Sequence, residues 1–158
     1  MTEWRRSRAF TLLELLIVVA VIGVLTLLAI PAYEGYLVRV HRSVAVTTML
    51  DIANRQTQFH LDNKTYTDKL THLGFSDALV SDTANGSALA FDARQSPVAT
   101  TAAERVYLIR IDSAQAHSFT LSAIPQRRQS LDAECGTYTL KQTGARANSG
   151  TGSAADCW

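Results

Sequence analysis

The sequence has few charges, few cysteines and no catalytic signature. Of its 158 residues, 18% are charged, below the roughly 25% usual for soluble domains. Lys and Arg total 15 against 14 Asp and Glu, so bulk charge excludes a strongly basic nucleic-acid-binding protein. The sequence contains no P-loop or HExxH motif, and the two cysteines form no CxxC pair that would indicate zinc. We therefore expect no enzymatic activity, no metal and no cofactor.

One long apolar run dominates the N-terminal part of the chain. Residues 15–30 carry no charge, and the run extends over 24 residues, 9–32, if Thr11 and Glu14 are allowed. As a helix this run would be about 36 Å long, enough to cross a bilayer core of about 30 Å. It is too long for a cleaved secretory signal peptide. The sequence therefore predicts a retained membrane helix, and the three arginines before it favour a cytoplasmic N-terminus.

A single carboxylate, Glu14, lies near the start of the run. A charge inside hydrocarbon costs at least about 2 kcal/mol, so Glu14 should have a partner or a function there. Alternatively, Glu14 lies at the level of the headgroups, where water and the positive end of the helix dipole favour it. Composition alone leaves both interpretations open.

The stretch RAFTLLELLIVVAVIGVLTLLAIPAYEGY, residues 8–36, resembles the prepilin signature of type IV pilins and the related pseudopilins. The resemblance implies a cytoplasmic leader, residues 1–9, which a membrane peptidase removes by cutting between Ala9 and Phe10. The new amine of Phe10 is then methylated. The family nearly always has Gly before the cut, where this chain has the small residue Ala9. Residues 10–32 would then form a transmembrane helix that becomes part of the fibre core.

The resemblance implies roles in fibre assembly for three residues of this segment. Glu14 follows Phe10 by one helical turn, so the two share a helix face, and Glu14 would pair with the Phe10 amine of a neighbouring subunit. An unpaired charge in the fibre core would penalise a wrong register. Pro31 predicts a kink and Gly23 a weak point in the helix. In pili of similar proteins the helix loses its regular form between these two positions.

The rest of the chain predicts an α+β fold, the type IV pilin fold by resemblance. No Gly or Pro occurs between positions 35 and 74, so the helix should continue through an amphipathic half, residues 33–63. The globular remainder, residues 64–158, contains four runs that alternate with period 2, typical of an antiparallel meander packed on the helix. Two stripes are predicted on the helix: Tyr33, Leu37, Val40 and Val44, continued by Val46, Met49, Leu50, Ala53 and Thr57. The four predicted strands are 87–93, 105–112, 117–125 and 136–143.

The two cysteines, Cys135 and Cys157, bracket the last predicted strand and a polar tail that composition alone would class as disordered. Since the head of a pilin leaves the cytoplasm, oxidation is permitted, and we expect a disulfide between them. A loop of this size contributes about 3 kcal/mol on chain-entropy grounds. Type IV pilins share such a C-terminal disulfide, whereas pseudopilins often lack it.

The finer resemblance is to PilE-like minor pilins, through TMLDIANRQ, FTLSAIPQ with CGTYTLKQTG, and the terminal CW. It implies a low-abundance pilus subunit that supports pilus assembly, twitching motility and adhesion. Its partners would be other pilins, the prepilin peptidase and methyltransferase, and the inner-membrane assembly platform. It would lie in the bacterial inner membrane with a periplasmic head before entering the extracellular pilus. A type II secretion pseudopilin is an alternative.

A competing function is DNA binding, as in competence minor pilins that capture DNA during uptake. The candidate contacts are Arg127, Arg128, Lys141 and Arg146. Four clustered cations could hold a phosphate backbone with strong salt dependence. A solvated loop explains the same residues, and bulk charge favours that simpler interpretation.

Overall fold

The computed structural model describes residues 11–84 and 86–158. The chain divides into two compact units between Leu37 and Val38. We call residues 11–37 the stem and residues 38–158 the head. Helix α1 (Leu12–Asn63) contains the described stem and the first part of the head, and it ends where the sequence predicts.

The stem is a helix whose large apolar side chains face outward. Their exposure runs from 47% at Val18 to 76% at Leu12 and Leu27. By length and composition, α1 contains a segment apolar enough to cross a membrane, and no residue of that segment is buried in the single chain. This surface requires an apolar environment outside the chain itself.

Within the head, one face of α1 forms part of the core. Ala45, Met49, Ile52 and Gln56 are fully buried, and their spacing of three or four residues places them on one side of the helix. The predicted stripes are correct at Val44 and Met49 but wrong at Val40 and Leu50, which are 43% and 37% exposed. The side of α1 that faces the core is therefore rotated about the helix axis from the side that the apolar residues alone predict.

Seven antiparallel strands form the sheet of the head. They are β1 (Ser81–Thr83), β2 (Gly86–Phe91), β3 (Pro97–Val98), β4 (Tyr107–Ala114), β5 (Phe119–Pro125), β6 (Tyr138–Lys141) and β7 (Arg146–Asn148). The order is β1-β2-β4-β5-β6-β7, with β3 paired to β2. The four predicted strands correspond to β2, β4, β5 and β6, which confirms the α+β fold. The three additional strands are only two or three residues long.

The polar tail is ordered rather than irregular. The predicted disulfide between Cys135 and Cys157 is formed. Between the cysteines lie β6, β7 and the short helix α2 (Ala154–Cys157). The N–H of Gly150 donates to the carbonyl oxygen of Cys135 at 3.1 Å, and a Cβ at Gly150 would collide with the backbone oxygen of Glu134. The disulfide and this close approach together order a segment that composition alone would leave loose.

Two short 3-10 helices complete the head. The first covers Leu70–Leu73 and the second covers Arg127–Leu131. The second connects β5 to the disulfide-bonded segment, and its surroundings contain the candidate site.

Candidate functional site

The residues predicted for processing and assembly belong to the stem. Ala9 and Phe10 lie outside the described residues. Glu14 is exposed in the first turn of α1, where its N–H donates to Thr11 Oγ1 at 3.2 Å. The helix is continuous through Gly23 and Pro31, and a Cβ at Gly23 would have no neighbour within 4 Å. The roles expected for these residues in a fibre stay predictions.

One end of the sheet collects cationic side chains. Phe91 pairs with Tyr107, and Tyr107 pairs with Pro125, so the segments next to these three strand ends meet at the same edge. We call the four arginines of these segments the basic edge. They are Arg94, Arg105, Arg127 and Arg128.

A cavity of about 360 Å³ opens at the basic edge. Three arginines of the basic edge line the cavity together with His41 of α1. They are Arg105, Arg127 and Arg128. Glu104 is the one carboxylate among the described lining residues. The cavity therefore carries an excess of positive charge, and its chemistry suits an anion.

Hydrogen bonds fix the Arg105 guanidinium in position, but no carboxylate in the described part of the chain neutralises its charge. Its Nε donates to Gln126 Oε1 at 3.2 Å, and its Nη1 donates to the carbonyl oxygen of Ala102 at 2.6 Å. Both acceptors are neutral. Among the described residues, Arg105 and Arg127 form no ion pair with a carboxylate. Both guanidinium groups thus remain available to an external anion.

A buried glutamine fixes the second 3-10 helix. Gln129 is 2% exposed, and its Nε2 donates to the carbonyl oxygen of Val38 at 2.9 Å and to Tyr107 Oη at 3.0 Å. At the start of the same helix, Arg127 has φ +53°, a left-handed conformation that is uncommon for a side chain of this size. The segment is therefore held in one shape by contacts to both α1 and β4.

An ion pair fixes the next residues. Arg42 of α1 donates from Nε to Asp132 Oδ2 and from Nη2 to Asp132 Oδ1, both at 2.8 Å. Its Nη2 also donates to Glu134 Oε2 at 2.6 Å. The hydrogen bonds to Asp132 are the main reason that the pKa of Arg42 is raised above its ordinary value. Asp132 also accepts the N–H of Cys135 at 3.2 Å, so the ion pair supports the disulfide.

Two buried tyrosines complete this polar region. The rings of Tyr107 and Tyr138 meet edge to face at 6.1 Å between centroids. Burial is the main cause that raises the pKa of Tyr138 to about 12, and burial likewise raises the pKa of Tyr107. Both hydroxyls therefore stay neutral at physiological pH.

The structure separates the four cations singled out in the sequence into two pairs. Arg127 and Arg128 follow the end of β5, whereas Lys141 pairs with Thr120 near its beginning. From Thr120 to Gln126 the strand spans about 20 Å. Arg146 lies with Lys141 in the β6–β7 hairpin, where its guanidinium packs over the Trp158 ring at 5.4 Å.

Sequence reasoning missed several residues of the basic edge. Arg94 and Arg105 come from separate segments, and only the strand register brings those segments to the same sheet edge as Arg127. His41, which lines the cavity from α1, was not singled out either. The alternation in β4 and β5 was visible in the sequence, but the pairing that aligns their ends was not. No pattern in the sequence indicated that Gln129 would be buried.

Two families match the chain. The family described as "Type IV minor pilin ComP, DNA uptake sequence receptor" matches residues 31–139. This range includes the whole basic edge but neither Lys141 nor Arg146. The "Prokaryotic N-terminal methylation motif" matches residues 4–30.

Several curated proteins are similar to part of the chain. The type IV major pilin protein PilA of Myxococcus xanthus is 38% identical over 71 residues, 45% of this chain and 32% of the relative. The type IV major pilin protein PilE1 of Neisseria gonorrhoeae is 33% identical over 68 residues, 43% of this chain and 41% of the relative. The type II secretion system core protein G of Dickeya chrysanthemi is 34% identical over 62 residues, 39% of this chain and 40% of the relative. The matches thus span about a third to two fifths of these relatives.

Proposed function

Because the chain belongs to the type IV pilin family and is of the minor pilin type, we propose that it is a pilus subunit whose head binds duplex DNA during uptake. The basic edge is the observation that carries this proposal. The stem supplies attachment to the membrane and then to the fibre, and the head presents the arginines to solvent.

Charge segregation supports DNA as the partner. Without residues 1–9, which hold three arginines and one glutamate, the formal charge of the chain changes from +1 to −1. Glu14 and Glu34 of the stem account for that negative charge, and the head itself holds 12 Lys and Arg against 11 Asp and Glu, a formal charge of +1. Such a head attracts little polyanion through bulk charge, so a DNA-binding surface must be local. The basic edge supplies one, because Arg105 and Arg127 keep their charge beside a cavity. Arginines contact phosphate oxygens with two parallel N–H groups.

The family match points in the same direction. The matched family is described as a receptor for a DNA uptake sequence, and the match extends over every residue of the basic edge. This description belongs to the family, and the proposal transfers it to this chain.

Direct binding measurements test the proposal. The full chain, purified in detergent, is titrated with a labelled duplex of about 24 base pairs at several salt concentrations. We expect the double variant Arg105→Ala/Arg127→Ala to reduce the slope of log K against log salt by about 2, because two phosphate contacts are lost.

A matched double variant controls for charge alone. Lys64→Ala/Lys69→Ala removes two exposed cations away from the basic edge and should leave the slope close to that of the wild type. An equal loss in both double variants would show that DNA does not bind at the basic edge. No binding by the wild type at low salt would remove DNA as the ligand.

A structural role in assembly is the second candidate, and the exposed apolar stem favours it. Its outward-facing leucines, isoleucines and valines need apolar neighbours, which other pilins would provide in a fibre. In this role the protein would be processed by the peptidase and methyltransferase, inserted in the inner membrane, and passed to the assembly platform. The C-terminal disulfide favours a pilus over a secretion pseudopilus. Deletion followed by counting surface pili and scoring twitching and adhesion separates the roles, since a DNA receptor leaves pili in normal number.

A further inference from the structure

The second 3-10 helix turns polar side chains toward the core and an apolar side chain toward solvent. In a 3-10 helix, residues i and i+3 lie on one ridge. Gln129 and Asp132 therefore share the inner side and are 2% and 4% exposed, while Leu131 on the outer side is 75% exposed. Buried polar groups need specific partners, so this inversion is costly unless it serves a purpose.

The exposed leucine is flanked by cations. Arg128 and Leu131 are related by i and i+3, and Arg127 directly precedes Arg128 at the start of the same helix. The outer side of the segment thus presents one apolar side chain beside two guanidinium groups. Proteins that bind the minor groove of duplex DNA combine the same two elements, arginines in the groove and an apolar wedge between base steps.

Arg42 pairs with both carboxylates closest in sequence to Leu131. The Asp132 side chain is 1% exposed, and both Asp132 and Glu134 are bound by Arg42. Asp132 is thus withdrawn from the outer side of the segment, whereas the Glu134 side chain is 55% exposed. In sequence, Leu131 therefore lies between the arginines of the basic edge and one exposed carboxylate, whose charge Arg42 partly offsets.

The segment is also held firmly enough to act as a wedge. The bonds of Gln129 to Val38 and Tyr107 tie it to α1 and β4, and Asp132 ties its end to Arg42. Separating two base pairs costs a few kcal/mol, so the inserted side chain needs such support.

From this geometry we propose that Leu131 inserts between base pairs at a deformable step of duplex DNA, entering from the minor groove while Arg127 and Arg128 contact the backbone. This inference rests on the proposed DNA-binding function and specifies its mode: the duplex is kinked, and pyrimidine–purine steps such as TA are favoured because they unstack easily.

The test uses the full chain in detergent and a duplex of about 24 base pairs with one central TA step. A 2-aminopurine at that step reports unstacking by a rise in fluorescence, and dyes at the two ends report bending by energy transfer. The wild type should produce both signals. Leu131→Ala should abolish both while the salt slope stays unchanged, because the phosphate contacts remain. Its Kd should rise by about tenfold at most, which corresponds to one lost leucine contact.

Two further variants sharpen the result. Leu61→Ala removes another exposed leucine, 65% exposed on α1, and should keep both signals. Leu131→Phe keeps an apolar wedge and should retain unstacking. If the wild type binds without either signal, or if the signals persist in Leu131→Ala, the insertion of Leu131 is wrong while the proposed DNA binding stands. No binding at all by the wild type would overturn both proposals. Loss of pilus incorporation by Leu131→Ala with unchanged DNA signals would assign Leu131 to a subunit contact instead.

Discussion

Arg42 of helix α1 and Asp132, which follows the second 3-10 helix, form a two-point ion pair with both N–O distances at 2.8 Å. The carboxylate is almost fully buried and the guanidinium is 14% exposed. Because the two residues are 90 positions apart, the pair fixes the segment before the disulfide onto the helix. It also fixes the end of the segment that presents the basic edge.

Removing Arg42 should destabilise the head strongly. Arg42→Ala leaves the Asp132 charge buried without its partner, and we expect the free energy of unfolding to fall by about 3–5 kcal/mol. Urea denaturation of the full chain, followed by near-UV circular dichroism, measures the change. Asp51→Ala is the control, because it removes the exposed Asp51–Arg55 pair and should cost less than about 1 kcal/mol. Equal losses in the two variants would contradict a structural role for the buried pair.

Stability should fall at alkaline pH because of the buried tyrosines. The pKa of Tyr138 is raised to about 12 in the folded chain, against about 10 for an unfolded tyrosine. The contribution of Tyr138 is therefore complete below pH 10 and is lost as pH rises from about 10 to about 12, at about 1.4 kcal/mol per pH unit. Tyr138→Phe should flatten this decline, and denaturation at several pH values measures it. An unchanged slope in Tyr138→Phe would show that the decline arises elsewhere.

Reduction of the disulfide should loosen the last part of the chain. The bond closes a loop with a sequence separation of 22 residues, and its loss should cost about 3 kcal/mol. We expect reductant to lower the urea midpoint of the wild type and to speed hydrogen exchange in β7. The double variant Cys135→Ala/Cys157→Ala should already show the lower midpoint and should not respond to reductant. A midpoint that is insensitive to reductant in the wild type would contradict the prediction.

Gln129 should support DNA binding without touching DNA. Gln129→Leu leaves the Val38 carbonyl and the Tyr107 hydroxyl without this donor, and it should cost about 1–3 kcal/mol of stability. It should also weaken DNA binding while the salt slope remains that of the wild type, since no phosphate contact is removed. The matched control is Gln142→Leu, the same replacement at an exposed glutamine in the turn between β6 and β7. If Gln129→Leu lowers the salt slope, Gln129 itself contacts the phosphates.

Glu14 should set the position of the subunit in the fibre. Glu14→Gln removes the charge expected to pair with the amine of Phe10, so we predict fewer subunits in sheared pili at an unchanged membrane level. Thr26→Val is the matched control within the same apolar run, because the Thr26 hydroxyl already donates to the Ile22 carbonyl at 2.7 Å. Normal incorporation of Glu14→Gln would exclude the pairing.

The stem of α1 could be predicted because its apolar run is long enough to span a membrane, and the main strands because they alternate with period 2. In β4, alternate residues are buried at Tyr107, Ile109 and Ile111, as the period of 2 requires. The short strands β1, β3 and β7 were missed because two or three residues show no period. Their pairing follows from the turns and the disulfide rather than from their own side chains.

The buried face of α1 shows where apolarity is a poor guide. Gln56 is fully buried because its Nε2 donates to the carbonyl oxygen of Thr67 at 2.6 Å and its Oε1 accepts the N–H of Thr67 at 3.1 Å. This pairing with a loop backbone is invisible in the sequence, as is the pairing of Gln129. Buried polar residues that satisfy backbone groups are therefore missed both in the core, at Gln56, and near the candidate site, at Gln129.

The turn between β6 and β7 is a suitable site for a label, because it lies at the end of the sheet opposite the basic edge. Gly144 lies in this turn with φ +80°, and a Cβ there would have no neighbour within 4 Å. The turn joins strand ends about 20 Å from the basic edge. A fluorophore or short epitope inserted at this position would make single subunits visible in living cells while the arginines stay uncovered.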